Sequence, residues 1–175
     1  FRIEEKTSKD FVSNIDKRAE EIIVEQIQTT YPTHNILAEE SGTTQVDKSN
    51  EYTWIVDPID GTLNFIRGIP HFAVSIGIQK GKHLEHGVIV DPINREEYVA
   101  SRGYGATLNG KKIRVSSSES LQDGLVSAGI APSNINQRLE SYIKNLQEFT
   151  RACQAIRSTG SAALDLAYVA SGKFD

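Results

Sequence analysis

The sequence concentrates its chemistry in Asp57-Pro58-Ile59-Asp60-Gly61-Thr62, where two carboxylates, a peptide carbonyl between them and a hydroxyl follow in close succession. Pro58 biases Asp57 away from helical geometry, and Gly61 permits a sharp turn that leaves backbone N–H groups near a ligand. On such a turn Asp57 and Asp60 can converge on one point, with the Ile59 carbonyl adding a third oxygen. Hard oxygen donors in that number suit Mg²⁺, which takes one or two carboxylates and completes its octahedron with water and substrate phosphate. A second acidic pair, Glu39-Glu40, is followed directly by Ser41-Gly42 and can aim a carboxylate at the same spot. Plainer readings stand beside these: Asp-Gly and Asp-Pro are ordinary turn formers, and Glu39-Glu40 can open a solvated loop. Calcium binding of the EF-hand type is disfavoured, because no loop has the required Asp/Asn alternation.

Strand ends are needed to hold these groups. Ile15, Ala19, Ile22, Ile23 and Ile27 recur with helical period over 13–27, which predicts a helix with that apolar face, ended by Tyr31-Pro32. His34 to Ala38 reads as a short strand and 39–51 as an aperiodic acidic-polar loop. Trp54-Ile55-Val56 reads as a buried strand that stops at Asp57-Pro58. Segments 72–78 and 84–90 predict two strands joined at Lys80-Gly81. Segments 97–100 and 112–115 predict two more, with Asn109-Gly110 as a tight turn between them. This middle section reads as an antiparallel sheet. Helical spacing returns over 137–149 and over 161–170, where Gly172 supplies a stop. The fold class is α+β: one layered domain over 1–175, with a second layer beginning near Leu125.

A chain of 175 residues with 38% hydrophobic residues can bury a proper core, which excludes a low-complexity or disordered polypeptide. Its 19 Lys and Arg against 23 Asp and Glu give a net charge of −4, with no basic block, so a protein that neutralises nucleic-acid backbones is disfavoured. A single cysteine, Cys153, and the lack of a long apolar run or signal-like start point to a soluble, cytoplasmic protein. The chain opens at Phe1, contains no methionine and stops at Lys173-Phe174-Asp175, where a strand would begin. It is read as a fragment, truncated at both ends.

Ala38-Glu39-Glu40-Ser41-Gly42, Trp54-Ile55-Val56-Asp57-Pro58-Ile59-Asp60-Gly61-Thr62-Leu63-Asn64-Phe65 and Pro70-His71-Phe72-Ala73-Val74-Ser75-Ile76-Gly77 together resemble the inositol monophosphatase family. Arg157-Ser158-Thr159-Gly160-Ser161-Ala162-Ala163-Leu164-Asp165-Leu166-Ala167 extends the resemblance, which is closest to the bacterial inositol-1-monophosphatase-like proteins and covers the whole chain. It implies a layered αβαβα sugar-phosphatase fold and Mg²⁺-dependent hydrolysis of a sugar or polyol phosphomonoester, foremost myo-inositol 1-phosphate. Relatives acting on fructose 1,6-bisphosphate or 3′-phosphoadenosine 5′-phosphate share the aspartate turn. Some bacterial members are associated with ribosomal RNA transcription machinery, which leaves a non-catalytic partner role open. A homodimer and lithium sensitivity are also implied.

Residue by residue, the resemblance implies that Glu39, Asp57, Asp60 and the Ile59 carbonyl hold Mg²⁺. It implies that Thr62 and Asp16, with Glu39, serve the attacking water. Asp60 and the Gly61 and Thr62 amides would meet the substrate phosphate end, and Gly160, Ser161 and Ala162 the sugar pocket. Small residues at those three positions also pack well for steric reasons alone. Ser13-Asn14-Ile15-Asp16 is a capping-box pattern as well, which offers Asp16 a structural role. Lys6 matches a family lysine near the metal-bound water, with altered spacing to Asp16. Departures are Ala38 for Gly, Leu63 for Thr and Ser161 for Thr. The family's later Trp-Asp motif, whose aspartate completes the second metal site, lies beyond Asp175. Cys153 and the histidines have no catalytic task, with only His71 close enough in sequence to the site to stay open.

Overall fold

A computed structural model describes residues 3–7, 10–44, 46–47, 49–129 and 135–175, excluding the side chains of 4–7, 10–13 and 135–137. Strands β1 (Ile3–Thr7) and β2 (Asp10–Ser13) pair antiparallel and lead into helix α1 (Asn14–Thr30). The centre is an eight-stranded sheet. Its strands are β3 (Asn35–Ala38), β4 (Gly42–Thr44), β5 (Tyr52–Asp60), β6 (Ala73–Lys80), β7 (His83–Asp91), β8 (Glu96–Ser101), β9 (Gly105–Leu108) and β10 (Lys111–Lys112). Their spatial order is β10-β9-β8-β7-β6-β5-β3-β4. All neighbours are antiparallel except β3 and β5, which run parallel. The predicted antiparallel middle section is thus present, and helix α2 (Thr62–Ile66) follows β5 directly.

A second, two-stranded parallel sheet joins β11 (Leu125–Ser127) to β12 (Ala155–Arg157) through helix α3 (Ile135–Ala152). Helix α4 (Ala162–Ala170) opens at Ser161, whose hydroxyl accepts from the Leu164 N–H, and Gly172 beyond it takes the left-handed φ of 74° that a helix stop favours. No helix among the described residues is long and apolar enough to cross a membrane.

One face of the sheet is closed by α1. Ile27, Ile36, Ala38 and Val56 form its buried core, with Ile23, Val24, Trp54 and Ile76 packed around them. Each Ile or Val among them contributes about 1.5–3 kcal/mol when fully buried. The buried face of α1 differs from the apolar face read in the sequence. Ile15 and Ile22 are 38% and 52% exposed, whereas Asp16 and Glu20 are buried with Ile27. The physical reason is polar: the first turns of α1 lie against turns with N–H and O–H donors, so acceptors rather than aliphatics point inward.

Three further expectations are corrected. The 39–51 loop contains β4, which folds back on β3 in an Ala38↔Gly42 hairpin too short to show periodicity. β5 does not stop at Asp57-Pro58 but reaches Asp60. Its register against β6 jumps between Asp57 and Asp60, so Pro58, which has no N–H, falls where the ladder is interrupted. Asn109-Gly110, with φ of 49° and 76°, joins β9 to β10 rather than β8 to its successor, and β10 ends at Lys112 before Val115.

At the start of β5, far from that irregularity along the strand, the Trp54 indole N–H donates to His34 Nδ1 at 3.0 Å. The imidazole is stacked between Tyr31 and Tyr52, each with its ring centroid 4.9 Å away.

Candidate active site

Two strand ends and one helix face build the site. Because β3 and β5 are parallel and in register up to Ala38↔Val56, their C-terminal ends leave the sheet side by side. The Glu39 N–H donates to the Val56 carbonyl at 3.0 Å, which sets Glu39 beside the start of the 57–62 turn.

Asp57 is the electrostatic centre. Its Oδ1 is buried and has no hydrogen-bond partner among the described residues. Burial, the charge of Glu39, a hydrogen bond with Glu39 and the charge of Asp60 push its carboxyl up to about 8, against a smaller opposing pull from the Ile59 N–H. Glu39 and Asp60 thus each lie within electrostatic reach of Asp57. Among the described residues, no group of three or more His, Cys, Asp or Glu side chains is gathered as a ready-made metal cage.

Asp60 is oriented from the other side. Its Oδ2 accepts from the Ser161 hydroxyl and, at 2.8 Å, from the Ala163 N–H, at the N-terminal end of α4 where negative charge is favoured. Ser161 is 1% exposed and its hydroxyl is shared between this bond and the α4 cap, while Gly160 and Ala162 on either side are exposed. Of the three residues assigned to a sugar pocket, Ser161 thus faces inward onto Asp60.

Gly61 has φ of 95°, and a Cβ there would lie 3.2 Å from both the Gly160 and His71 carbonyl oxygens, so conformation and space both require glycine. Gly160 meets Asn64 still more closely: its Cβ would fall 2.9 Å from Asn64 Nδ2. That amide donates to the His71 and Thr159 carbonyls, each at 2.8 Å, and so ties the turn to the loop before β6 and to the segment before α4.

Thr62 Oγ1 stands 3.1 Å from Asp16 Oδ1 and 3.0 Å from the Ile59 carbonyl. One hydroxyl hydrogen faces two acceptors, so only one bond is made fully and the oxygen keeps lone pairs for a further donor. Asp16, 1% exposed, is aimed at Thr62, the partner that the resemblance implied. The Lys6 side chain lies outside the described residues. His71 Nε2 is buried without a hydrogen bond among the described residues, its ring 6.0 Å edge-on to Tyr168, and Cys153 lies at the end of α3 with a long contact to the Ala155 carbonyl.

Two residues escaped the sequence reading. Glu20 accepts from the Glu40 and Ser41 N–H groups, and its place one helical turn after Asp16 was the available signal. Asn64 stood inside the aspartate motif without an assigned task. A cavity of about 390 Å³ opens on the opposite sheet face from α1, lined by Ile55, Gly77, Gly87, Ala100 and Leu166, and Asp57 also borders it. Its walls are apolar, unlike the oxygen-rich turn, so it is not the seat of phosphate chemistry.

Comparison with known proteins agrees with this architecture. The sequence pattern of the inositol monophosphatase family matches residues 1–175. The Nus factor SuhB of Pseudomonas aeruginosa is 44% identical over 176 aligned residues, covering 99% of this chain and 65% of that protein. The crystal structure of extragenic suppressor protein suhB from Bartonella henselae superposes with a TM-score of 0.94 at 38% identity, covering 99% of this chain and 66% of that one. Inositol monophosphatase from Anabaena superposes with a TM-score of 0.85 at 40% identity, over 91% of this chain and 63% of that one. The chain spans less than two thirds of the length of the relatives it matches.

Proposed function

The chain belongs to the inositol monophosphatase family, and from that premise we propose that it serves Mg²⁺-dependent hydrolysis of a sugar or polyol phosphomonoester, with myo-inositol 1-phosphate as the leading substrate. Residues 1–175 are taken as part of one phosphatase domain. One observation carries the reading: the buried Asp57 oxygen that no hydrogen bond from the described residues satisfies, flanked by Glu39 and Asp60. Leaving such an oxygen unpaired is costly, and a divalent cation removes that cost. The donor set is made of hard oxygens, which fits Mg²⁺.

Glu39, Asp57, the Ile59 carbonyl and Asp60 would hold the ion. When bound, Mg²⁺ neutralises phosphoryl charge and lowers the pKa of a water. The chain's own groups do the rest. Thr62, with its hydrogen given to Asp16, accepts a hydrogen bond from water and turns the water's lone pair toward phosphorus. The Gly61 and Thr62 amides donate to phosphate oxygens, from a turn whose backbone conformation needs glycine at 61. Ser161 and the Ala163 N–H keep Asp60 in one orientation, and Gly160 and Ala162 offer small, exposed surfaces to the polyol ring. Hydrolysis is direct, with no covalent enzyme intermediate.

The test is phosphate release with Mg²⁺ titration across myo-inositol 1-phosphate, fructose 1,6-bisphosphate and 3′-phosphoadenosine 5′-phosphate. Release from none of them would refute the phosphatase reading, and preference for a bisphosphate would move the substrate. Lithium inhibition, a homodimer and a cytoplasmic setting belong to the same proposal.

The identity with a protein named as a Nus factor favours a second reading, a partner of ribosomal RNA transcription machinery. Complementation with Asp57→Asn separates the two. Rescue by this variant would assign the cellular role to binding, and failure of a folded variant would assign it to catalysis.

A further inference from the structure

The turn between β3 and β4 consists of Glu39, Glu40 and Ser41, and all three of its N–H groups are held by elements outside the hairpin. Glu39 N–H reaches the Val56 carbonyl on β5. The next two reach one carboxylate on α1: Glu40 N–H donates to Glu20 Oε2 at 2.7 Å and Ser41 N–H to Glu20 Oε1 at 2.8 Å. Glu20 is 3% exposed. Burying a carboxylate is expensive unless its oxygens are hydrogen-bonded, and a helix position that needed only packing would carry an aliphatic, as Ile27 does farther along the buried face. Both Glu20 oxygens are committed to this turn, in charge-assisted bonds of the short kind.

Asp16 lies one helical turn earlier on the same face, and it accepts from Thr62 in the turn after β5. One face of α1 therefore grips both strand-end turns: Asp16 holds the one that carries Asp57 and Asp60, and Glu20 holds the one that carries Glu39. Glu39 itself is exposed and its side chain hydrogen-bonds with Asp57, so the backbone of this turn sets where that carboxylate meets Asp57.

We infer that Glu20 is a positioning residue, which sets Glu39 against Asp57 by anchoring the Glu40 and Ser41 amides. The inference rests on the metal-dependent phosphatase reading above. Loss of an outer group that orients a ligand lowers metal affinity by about 10–100-fold.

The experiment uses the full chain in three forms: unaltered, Glu20→Gln and Glu20→Asp. Mg²⁺ binding is followed by calorimetry, and amide hydrogen exchange is followed at Glu40 and Ser41. For Glu20→Gln we expect exchange at both amides to accelerate at least tenfold. The Mg²⁺ dissociation constant should rise by about 10–100-fold, and substrate KM at saturating Mg²⁺ should stay the same. Glu20→Asp, which keeps the charge on a shorter stem, should recover part of the affinity. Accelerated exchange with unchanged Mg²⁺ affinity would reduce Glu20 to a fold-holding role and overturn the inference. Absence of Mg²⁺ binding by the unaltered chain would instead overturn the metal reading, and this inference with it. If the glutamine variant does not fold, the unaltered chain still decides, because coupling is reciprocal. Saturating Mg²⁺ must slow exchange at Glu40 and Ser41 at least tenfold, and no change there, with protection gained at 57–62, would refute the role of Glu20.

Discussion

Asp57 shows how a single carboxyl turns geometry into a pH response. Its ordinary value is 3.8, and burial with Glu39 and Asp60 nearby pushes it up to about 8 in the metal-free protein. The folded chain thus holds this proton more tightly than the unfolded chain. That contribution to stability is complete below the unfolded value and is lost as pH rises toward about 8. The Tm of metal-free protein should fall across that window, and Asp57→Asn should flatten the fall, which thermal unfolding in chelator will check. Mg²⁺ added near neutral pH should release protons, seen as a binding heat that varies with buffer ionisation enthalpy. Asp57→Asn should also cost about 100-fold or more in Mg²⁺-dependent phosphate release, as loss of a group central to charge stabilisation does. At Thr62, alanine removes the hydroxyl that bonds Asp16 and that the proposed mechanism places against the attacking water. We expect kcat to drop by about 10²–10⁴-fold with KM little changed, while Thr62→Ser retains most activity, as steady-state kinetics will show.

Among the elements, the tightest junction lies where the turn after β5 meets the segment before α4. Gly160 has φ of 88°, and an added Cβ would press on Asn64, whose amide bridges two carbonyls. Gly160→Ala should therefore destabilise the fold by about 1–3 kcal/mol. An unchanged Tm together with a raised substrate KM would mean that Gly160 lines a pocket and does not pack. Much of this level was legible in the residues: the period of α1, the β-branched run of β5, the Asn109-Gly110 turn, and Ser161 and Gly172 at the ends of α4 all express local geometry. The extension of β5 through Pro58 was not legible, because the proline sits in an interruption of pairing that only the neighbouring strand defines. β4 is three residues long, too short for any period to declare itself. The inward face of α1 was misread for a related reason: Asp16 and Glu20 are buried by donors that arrive from turns distant in sequence. The placing of Glu39 beside Asp57 depended on β3 and β5 being parallel, a tertiary choice that neither strand encodes alone.

For the whole molecule, the two faces of the large sheet are unlike. One is sealed by α1, and the other carries Ile55, Gly77, Gly87, Ala100 and Ala106 in a single cross-strand row, with α4 lying over part of it. Leu84 and Leu166 at this trough are 62% and 69% exposed. Apolar surface gathered in this way binds apolar probes. The 175-residue chain should therefore enhance anilinonaphthalene sulfonate fluorescence. Leu166→Lys should reduce the signal, and Tyr104→Lys, outside the trough, should not. The ring stack at the other end of β5 has its own use. Trp54 is the chain's sole indole, and its N–H needs the bare Nδ1 of His34, so placing a proton on that nitrogen turns an acceptor into a second donor and parts the pair. Emission from this one fluorophore should therefore track the integrity of the scaffold at the end of β5 remote from the 57–62 turn.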